Sequence, residues 1–157
     1  MDVYLMRHGE ARSDGDDAQR PLTDAGRLSV ERVARRLALV DPRVDGIYHS
    51  GILRARQTAE ILAAQLDTTP PVHERSGLRP LDPVEPVATW LLGDASEDAA
   101  LALVGHLPFL ERLASQLIVG DESHQLLVLP TAGLVRLVPK EGALGFTVAW
   151  AIAPEVA

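Results

Sequence analysis

The sequence predicts an α/β protein: a three-layer sandwich with a mostly parallel central sheet, helices on both faces and an antiparallel edge hairpin. Three observations carry the prediction. Val3-Tyr4-Leu5-Met6 and Ala99–Val104 are continuous apolar runs, too short for a membrane span and too unbroken for half-exposed strands, so both read as buried strands of a parallel sheet. Segments of helical periodicity alternate with the strand-like runs, which is the pattern of an α/β fold. Near the end, 133–138 and Phe146–Ile152 flank the short connection Pro139–Gly145, which makes the pair an antiparallel hairpin.

The chain has 157 residues, read as one domain over 1–157. A domain of that length buries roughly 68–70% of its unfolded surface. At 46% hydrophobic and 24% charged residues, the composition is that of an ordinary globular domain. The net charge of −7 argues against a nucleic-acid partner, which needs a basic face, but leaves room for a local arginine pocket. The absence of cysteine removes disulfides, thiolate metal sites and cysteine-nucleophile chemistry. No apolar stretch approaches the roughly 18 residues of a membrane span. No signal peptide opens the chain, so a cytoplasmic protein with no membrane partner is the default expectation.

The first strand runs directly into Arg7-His8-Gly9. In open α/β sheets, ligands bind beyond the carboxyl ends of the strands. A guanidinium matches a tetrahedral oxyanion by forked hydrogen bonding, and an imidazole can attack phosphorus or move a proton. The pair points to phosphate chemistry, with a purely structural Arg-His step as the alternative. Gly9 is expected to let the chain turn and its backbone approach a ligand. Residues 11–20, with Asp14, Asp16 and Asp17, read as a solvated acidic loop; the spacing of a calcium loop is absent. Thr23 is a plausible N-cap for a helix over about 26–39, with Val30, Val33, Ala34 and Leu37 inward and Asp41-Pro42 as its stop.

Residues 45–50 read as a short strand, and Ser50-Gly51 opens a helix over about 52–66 with Leu53, Ile61, Leu62 and Leu66 inward. Arg54 and Arg56 fall in its first turn, where the helix dipole disfavours a cation. A bound anion there would offset that cost; a tolerated surface arginine is the alternative. Residues 67–86 hold Pro70, Pro71, Pro80, Pro83 and Pro86 and read as an irregular connection with one strand near Val72-His73, before a short helix over 87–92. The second buried strand ends in Gly105-His106, and Pro108 starts a helix whose inward face is Leu110, Leu113, Ala114, Leu117 and Ile118. His106 thus repeats the placement of His8, and two such histidines are hard to explain by packing alone.

Arg7-His8-Gly9 after a strand, Ser50-Gly51-Ile52-Leu53-Arg54-Ala55-Arg56-Gln57-Thr58-Ala59, and Gly105-His106-Leu107-Pro108 form an ordered set. The set resembles the histidine phosphatase superfamily, the phosphoglycerate-mutase-like fold. The short length, Arg20-Pro21-Leu22-Thr23 and the Gly-His-Leu-Pro step resemble its small SixA-type phosphohistidine phosphatases. The resemblance implies His8 as the nucleophile, with Arg7, Arg54 and His106 around the phosphate and Arg20 lining the pocket. It implies no cofactor and no metal. Many superfamily members carry a glutamate acid at the place of Ser76–Pro80; here Glu74 and Asp82 are the nearest carboxylates, a departure that fits the SixA-type branch.

The expected activity is therefore a metal-independent phosphatase with a phosphohistidine intermediate. Its partner would be a phosphate-bearing substrate, a phosphohistidine protein such as a phosphotransfer domain. A small-molecule phosphomonoesterase, and a non-catalytic phospho-ligand binding module, are the alternatives. Attack requires neutral His8 with its second ring nitrogen donating to a backbone carbonyl, and Arg7 and Arg54 are expected to lower its pKa. His49, His73 and His124 read as surface or packing histidines.

Overall fold

The computed structural model describes residues 1–40, 43–95 and 97–157, so the predicted helix stop at Asp41-Pro42 lies outside the described residues. Among the described residues six strands and four α-helices follow one another, alternating up to the final pair of strands: β1 (Asp2–Arg7), α1 (Asp24–Val40), β2 (Gly46–His49), α2 (Leu53–Gln65), β3 (Val72–Glu74), α3 (Glu85–Thr89), β4 (Ala100–Gly105), α4 (Phe109–Val119), β5 (Leu134–Pro139) and β6 (Phe146–Ile152). They form one sheet of order β3-β2-β4-β1-β5-β6. The first four strands are parallel, and β5 and β6 are antiparallel additions at one edge.

The apolar continuity of the central strands follows from cover on both faces. Val3 and Leu5 of β1, with Leu101 and Leu103 of β4, pack against α3 and α4. Tyr4 and Met6, with Ala102 and Val104, pack against α1 and α2. Period-2 alternation sends successive side chains to opposite faces, so a strand covered twice must be apolar at every position. No helix among the described residues is long and apolar enough to cross a membrane.

Helix α1 starts where its cap was expected. The Thr23 hydroxyl oxygen accepts the Gly26 N–H at 2.9 Å, and the hydroxyl donates to the Glu10 carboxylate at 2.8 Å. Gly9 and Gly26 are required here for close approach. A Cβ on Gly26 would sit 2.1 Å from the Glu10 carbonyl oxygen, and one on Gly9 would sit 2.7 Å from Val30 Cγ2. Gly9 therefore lets the β1 exit pack closely against α1.

Two other expectations shift. The inward face of α2 is Arg54, Ala55, Thr58, Ala59 and Leu62; Leu53 and Ile61 are half-buried. A buried arginine occupies the stripe that an apolar pattern assigns to leucine. In β6 the alternation of Phe146, Val148, Trp150 and Ile152 with smaller residues, which by itself would put all four on one face, is broken. The β5–β6 register slips, with Arg136 opposite Trp150 and Leu137 opposite Val148, so Ala149 is an extra residue. The bulge sends Trp150 and Ile152 to the α1 side, while Phe146 stays with the α4 side. The short helix predicted over 87–92 is α3, continued by a wider π-type turn at Trp90–Asp94.

Candidate active site

Register brings the two histidines together. Arg7 of β1 lies opposite Gly105 of β4, so His8 and His106 leave adjacent parallel strands side by side. The His8 N–H donates to the Gly105 carbonyl at 3.0 Å. The imidazole centroids are 5.1 Å apart, at 52°. His106 is 2% exposed.

His8 is held in one tautomer. Its Nδ1 lies 2.7 Å from the Gly9 carbonyl oxygen, which can only accept, so Nδ1 carries the proton. Nε2 then bears the lone pair, and it accepts from Arg54 Nε at 3.3 Å. Burial pushes the His8 pKa down to about 4; the guanidiniums of Arg54, Arg7 and Arg20 push the same way, and the Gly9 bond opposes them. The fall was expected from the arginines, but desolvation is its larger cause. His106 is pushed down to about 3, first by burial, then by His8, Arg54 and Arg7, with Asp17 opposing.

The arginines are aimed by carbonyl oxygens. Arg7 Nη1 donates to the Leu129 carbonyl at 3.0 Å, and its Nε is buried without a partner. Arg54 is 5% exposed, and its Nη1 donates to the Asp17 carbonyl at 2.8 Å. The Asp17 carboxylate is 3.5 Å from Arg54 Nη2 and 2.6 Å from Arg20 Nη2. Arg20 also donates to the Arg12 carbonyl at 2.8 Å. By contrast, Arg56 is exposed and lies 3.6 Å from Glu60 one turn on. Thr58 ties the layers, accepting the Gly9 N–H at 3.0 Å and donating to the Arg54 carbonyl at 2.8 Å.

Arg7, His8, Arg54 and His106 thus converge, and Arg20 joins them through Asp17. The remaining candidates make other contacts. A Cβ on Gly51 would be 2.5 Å from Glu74 Oε1, so Glu74 lies against the start of α2. Asp82 accepts the Arg79 N–H at 2.8 Å within its own turn. His49 is buried, and its Nδ1 accepts the Gly51 N–H at 3.1 Å. His73 packs beside Tyr48 at 5.4 Å between centroids, and His124 lies at the surface 3.4 Å from Asp121. Ser50, Asp17 and Thr58 were not singled out as site residues in the sequence. Ser50 Oγ lies 2.6 Å from His106 Nε2. No group of three or more His, Cys, Asp or Glu placed to hold a metal ion occurs among the described residues.

Fixed guanidiniums beside an imidazole with a bare lone pair can bind a tetrahedral oxyanion and offer it a nitrogen nucleophile, which is the chemistry of phosphoryl transfer. Residues 3–83 match the family described as the histidine phosphatase superfamily (branch 1). The chain belongs to that superfamily, in its SixA-type branch, and its activity class is that of a phosphatase. It is 41% identical over 142 residues to an uncharacterized protein of Picosynechococcus, covering 87% of this chain and 84% of that one. It is 32% identical over 123 residues to the phosphohistidine phosphatase SixA of Escherichia coli, covering 77% and 76%. The structure of the protein histidine phosphatase SixA complexed with tungstate superposes with a TM-score of 0.87 at 26% identity, over 98% of this chain and 97% of that one.

Proposed function

We propose that the protein hydrolyses phosphohistidine in a phosphoprotein, of the phosphotransfer-domain kind, through a phosphoryl group carried on His8 and without a metal. The observation that carries this reading is the fixed tautomer of His8: Nδ1–H on the Gly9 carbonyl, and an unprotonated Nε2 whose lone pair meets Arg54 Nε at 3.3 Å. In the first step a bond forms between His8 Nε2 and phosphorus, and the bond from phosphorus to the substrate imidazole breaks. Arg7, Arg54 and His106 hold the equatorial oxygens, with Arg20 at the rim. As His8 takes on positive charge, its Nδ1–H bond to Gly9 strengthens. In the second step an oxygen–phosphorus bond forms with water, the bond from His8 Nε2 to phosphorus breaks, both water protons leave on inorganic phosphate, and neutral His8, still protonated at Nδ1, is restored. The tungstate complex of the related SixA supports the reading, since tungstate is a tetrahedral oxyanion.

The leaving group supports phosphohistidine over an alkyl phosphate. A phosphohistidine whose other ring nitrogen is protonated departs as neutral imidazole, whose conjugate acid has a pKa of about 6.5. An alkoxide needs a positioned acid, which is typically worth about 10²–10⁴-fold. Asp82 is committed to the Arg79 N–H and Glu74 lies against Gly51. The test is a panel pairing phosphohistidine peptides with glycerol phosphate, each quenched rapidly and assayed for acid-labile phosphate on His8. We expect label on His8, loss of turnover in His8→Ala, and a preference of about 10² or more in kcat/KM for phosphohistidine. We also expect Glu74→Gln and Asp82→Asn to keep phosphohistidine turnover within a few fold. Comparable rates on both substrates would replace this reading with a small-molecule phosphomonoesterase. Retained turnover in His8→Ala would remove the covalent step.

A further inference from the structure

We propose that Ser50 is a positioning residue: its hydroxyl fixes His106 in the Nδ1–H tautomer, so that the buried Nδ1–H is the donor offered to the phosphoryl group. The inference rests on the reading that His8 and His106 face that group, and it adds a role for a residue between β2 and α2.

Two contacts and one orphaned atom decide the direction of the bond. Ser50 Oγ lies 2.6 Å from His106 Nε2, and both residues are buried, at 4% and 2% exposure. The Ile52 N–H donates to Ser50 Oγ at 3.4 Å, occupying one of its lone pairs. His106 Nδ1 is buried and has no hydrogen-bond partner. A serine hydroxyl has one proton to give and two lone pairs. If Ser50 donates to His106 Nε2, that proton is used, and the ring proton sits on Nδ1. The opposite arrangement puts the ring proton on Nε2 and leaves the Ser50 proton idle. It also leaves a bare lone pair on buried His106 Nδ1, which repels a phosphoryl oxygen. Only the first arrangement leaves a single orphan, an N–H donor, and a phosphoryl oxygen is the partner that would satisfy it.

The turn that carries Ser50 is built for this placement. Gly51 has a φ of +83°, a conformation that favours glycine, and its N–H is taken by His49 Nδ1 at 3.1 Å. The His49 ring thus ties down the turn at Gly51, next to Ser50, whose hydroxyl meets His106. The parallel with His8 is close. In each histidine one ring nitrogen is occupied by an oxygen of the scaffold, so the role of the other nitrogen is set before substrate arrives. His8 is left with a lone pair, and His106 with a proton.

Nitrogen NMR of histidine-labelled protein reads the tautomer directly, with no substrate. His106 is expected to show a protonated Nδ1 and a bare Nε2 in the unmodified protein, and a mixture of tautomers in Ser50→Ala. Removing one pre-aimed donor typically costs about 10²–10³-fold, and a mixed tautomer removes it in part, so kcat/KM should fall about 10- to 10²-fold in Ser50→Ala. Tungstate affinity should weaken in parallel, and Ser50→Thr, which keeps the hydroxyl, should recover most of the loss. In a His106→Ala background the same Ser50→Ala change should cost no more than about twofold, because the group it acts through is gone. A proton on Nε2 in the unmodified protein, or an equal cost of Ser50→Ala in both backgrounds, overturns the proposal. Should Ser50→Thr fail to fold, the tautomer of the unmodified protein and the double-variant comparison still decide it. If no substrate labels His8, the phosphatase chemistry proposed above fails separately, and the tautomer and tungstate measurements still judge Ser50.

Discussion

Acidification from pH 7 to pH 5 should destabilise the fold through the two site histidines, and His8→Asn should remove about half of that effect. In the folded protein His8 and His106 titrate at about 4 and about 3. In the unfolded chain both return to about 6.5. At pH 7 each is mostly neutral in both states. At pH 5 each is mostly protonated when unfolded and mostly neutral when folded, so the unfolded state binds more protons and stability falls as pH falls. Each histidine then costs about 2 kcal/mol over the interval, and the two together about 4 kcal/mol, against a typical total of about 5–15 kcal/mol. Burial holds His49 below its ordinary pKa as well, which adds a loss of the same sign. Asp17 does not enter this window. Its pKa is lowered, first by the Arg20 hydrogen bond, so its contribution is lost only as pH drops through the carboxylate range.

Urea unfolding at pH 7, 6 and 5, in buffers free of phosphate and sulfate, measures the effect. Anions must be left out because any that binds the arginines stabilises the fold by mass action. The unmodified protein should lose about 2 kcal/mol more than His8→Asn between the two extremes. Parallel stability curves for the two proteins would refute the reasoning, because they would show that His8 is protonated alike in both states.

Two further outcomes follow from packing and charge. Gly26→Ala should destabilise by about 2 kcal/mol or more in urea unfolding, because its Cβ would meet the Glu10 carbonyl oxygen at 2.1 Å and the clash is with backbone; an unchanged unfolding midpoint would show that the α1 contact is looser than described. Phosphatase activity should survive a chelator and be inhibited by vanadate or tungstate, since guanidiniums supply the charge that a metal supplies elsewhere; loss on chelation with recovery on added magnesium would show that a cation does that work.

Much of this architecture was legible because its signals are local. The continuous apolar runs of β1 and β4 betray a sheet covered on both faces, and Arg7, His8 and His106 stand at their ends by chain position alone. Arg54 was legible through its cost, a cation in the first turn of a helix. Ser50 was not, because serine before a helix is an ordinary residue and nothing local says that its hydroxyl meets His106, 56 positions on. Asp17 was hidden in an acidic loop that looks solvated throughout, yet it lies beside both Arg20 and Arg54. The slip at Ala149 left no trace either, since small residues alternate with large ones on both sides of it. The burial of Arg54 misled the reading of α2, where an apolar stripe was drawn through Leu53 rather than through the arginine beside it.

The way the arginines are anchored bears on how the site keeps its charge. A guanidinium paired closely with a carboxylate is well placed but largely neutralised. Arg7 and Arg54 are instead directed by the carbonyls of Leu129 and Asp17, which fix the direction of each fork and leave its charge in place. The Asp17 carboxylate gives its short contact, 2.6 Å, to Arg20 at the rim, and stands off Arg54 at 3.5 Å. Neutral histidines complete the pattern, because burial and neighbouring cations together disfavour any proton on His8 Nε2. Strand register sets the distance between the two rings, backbone carbonyls aim the cations, and desolvation keeps His8 neutral. A chain of net charge −7 can therefore present a locally cationic pocket around two neutral imidazoles, whose charge and tautomer are set by the scaffold.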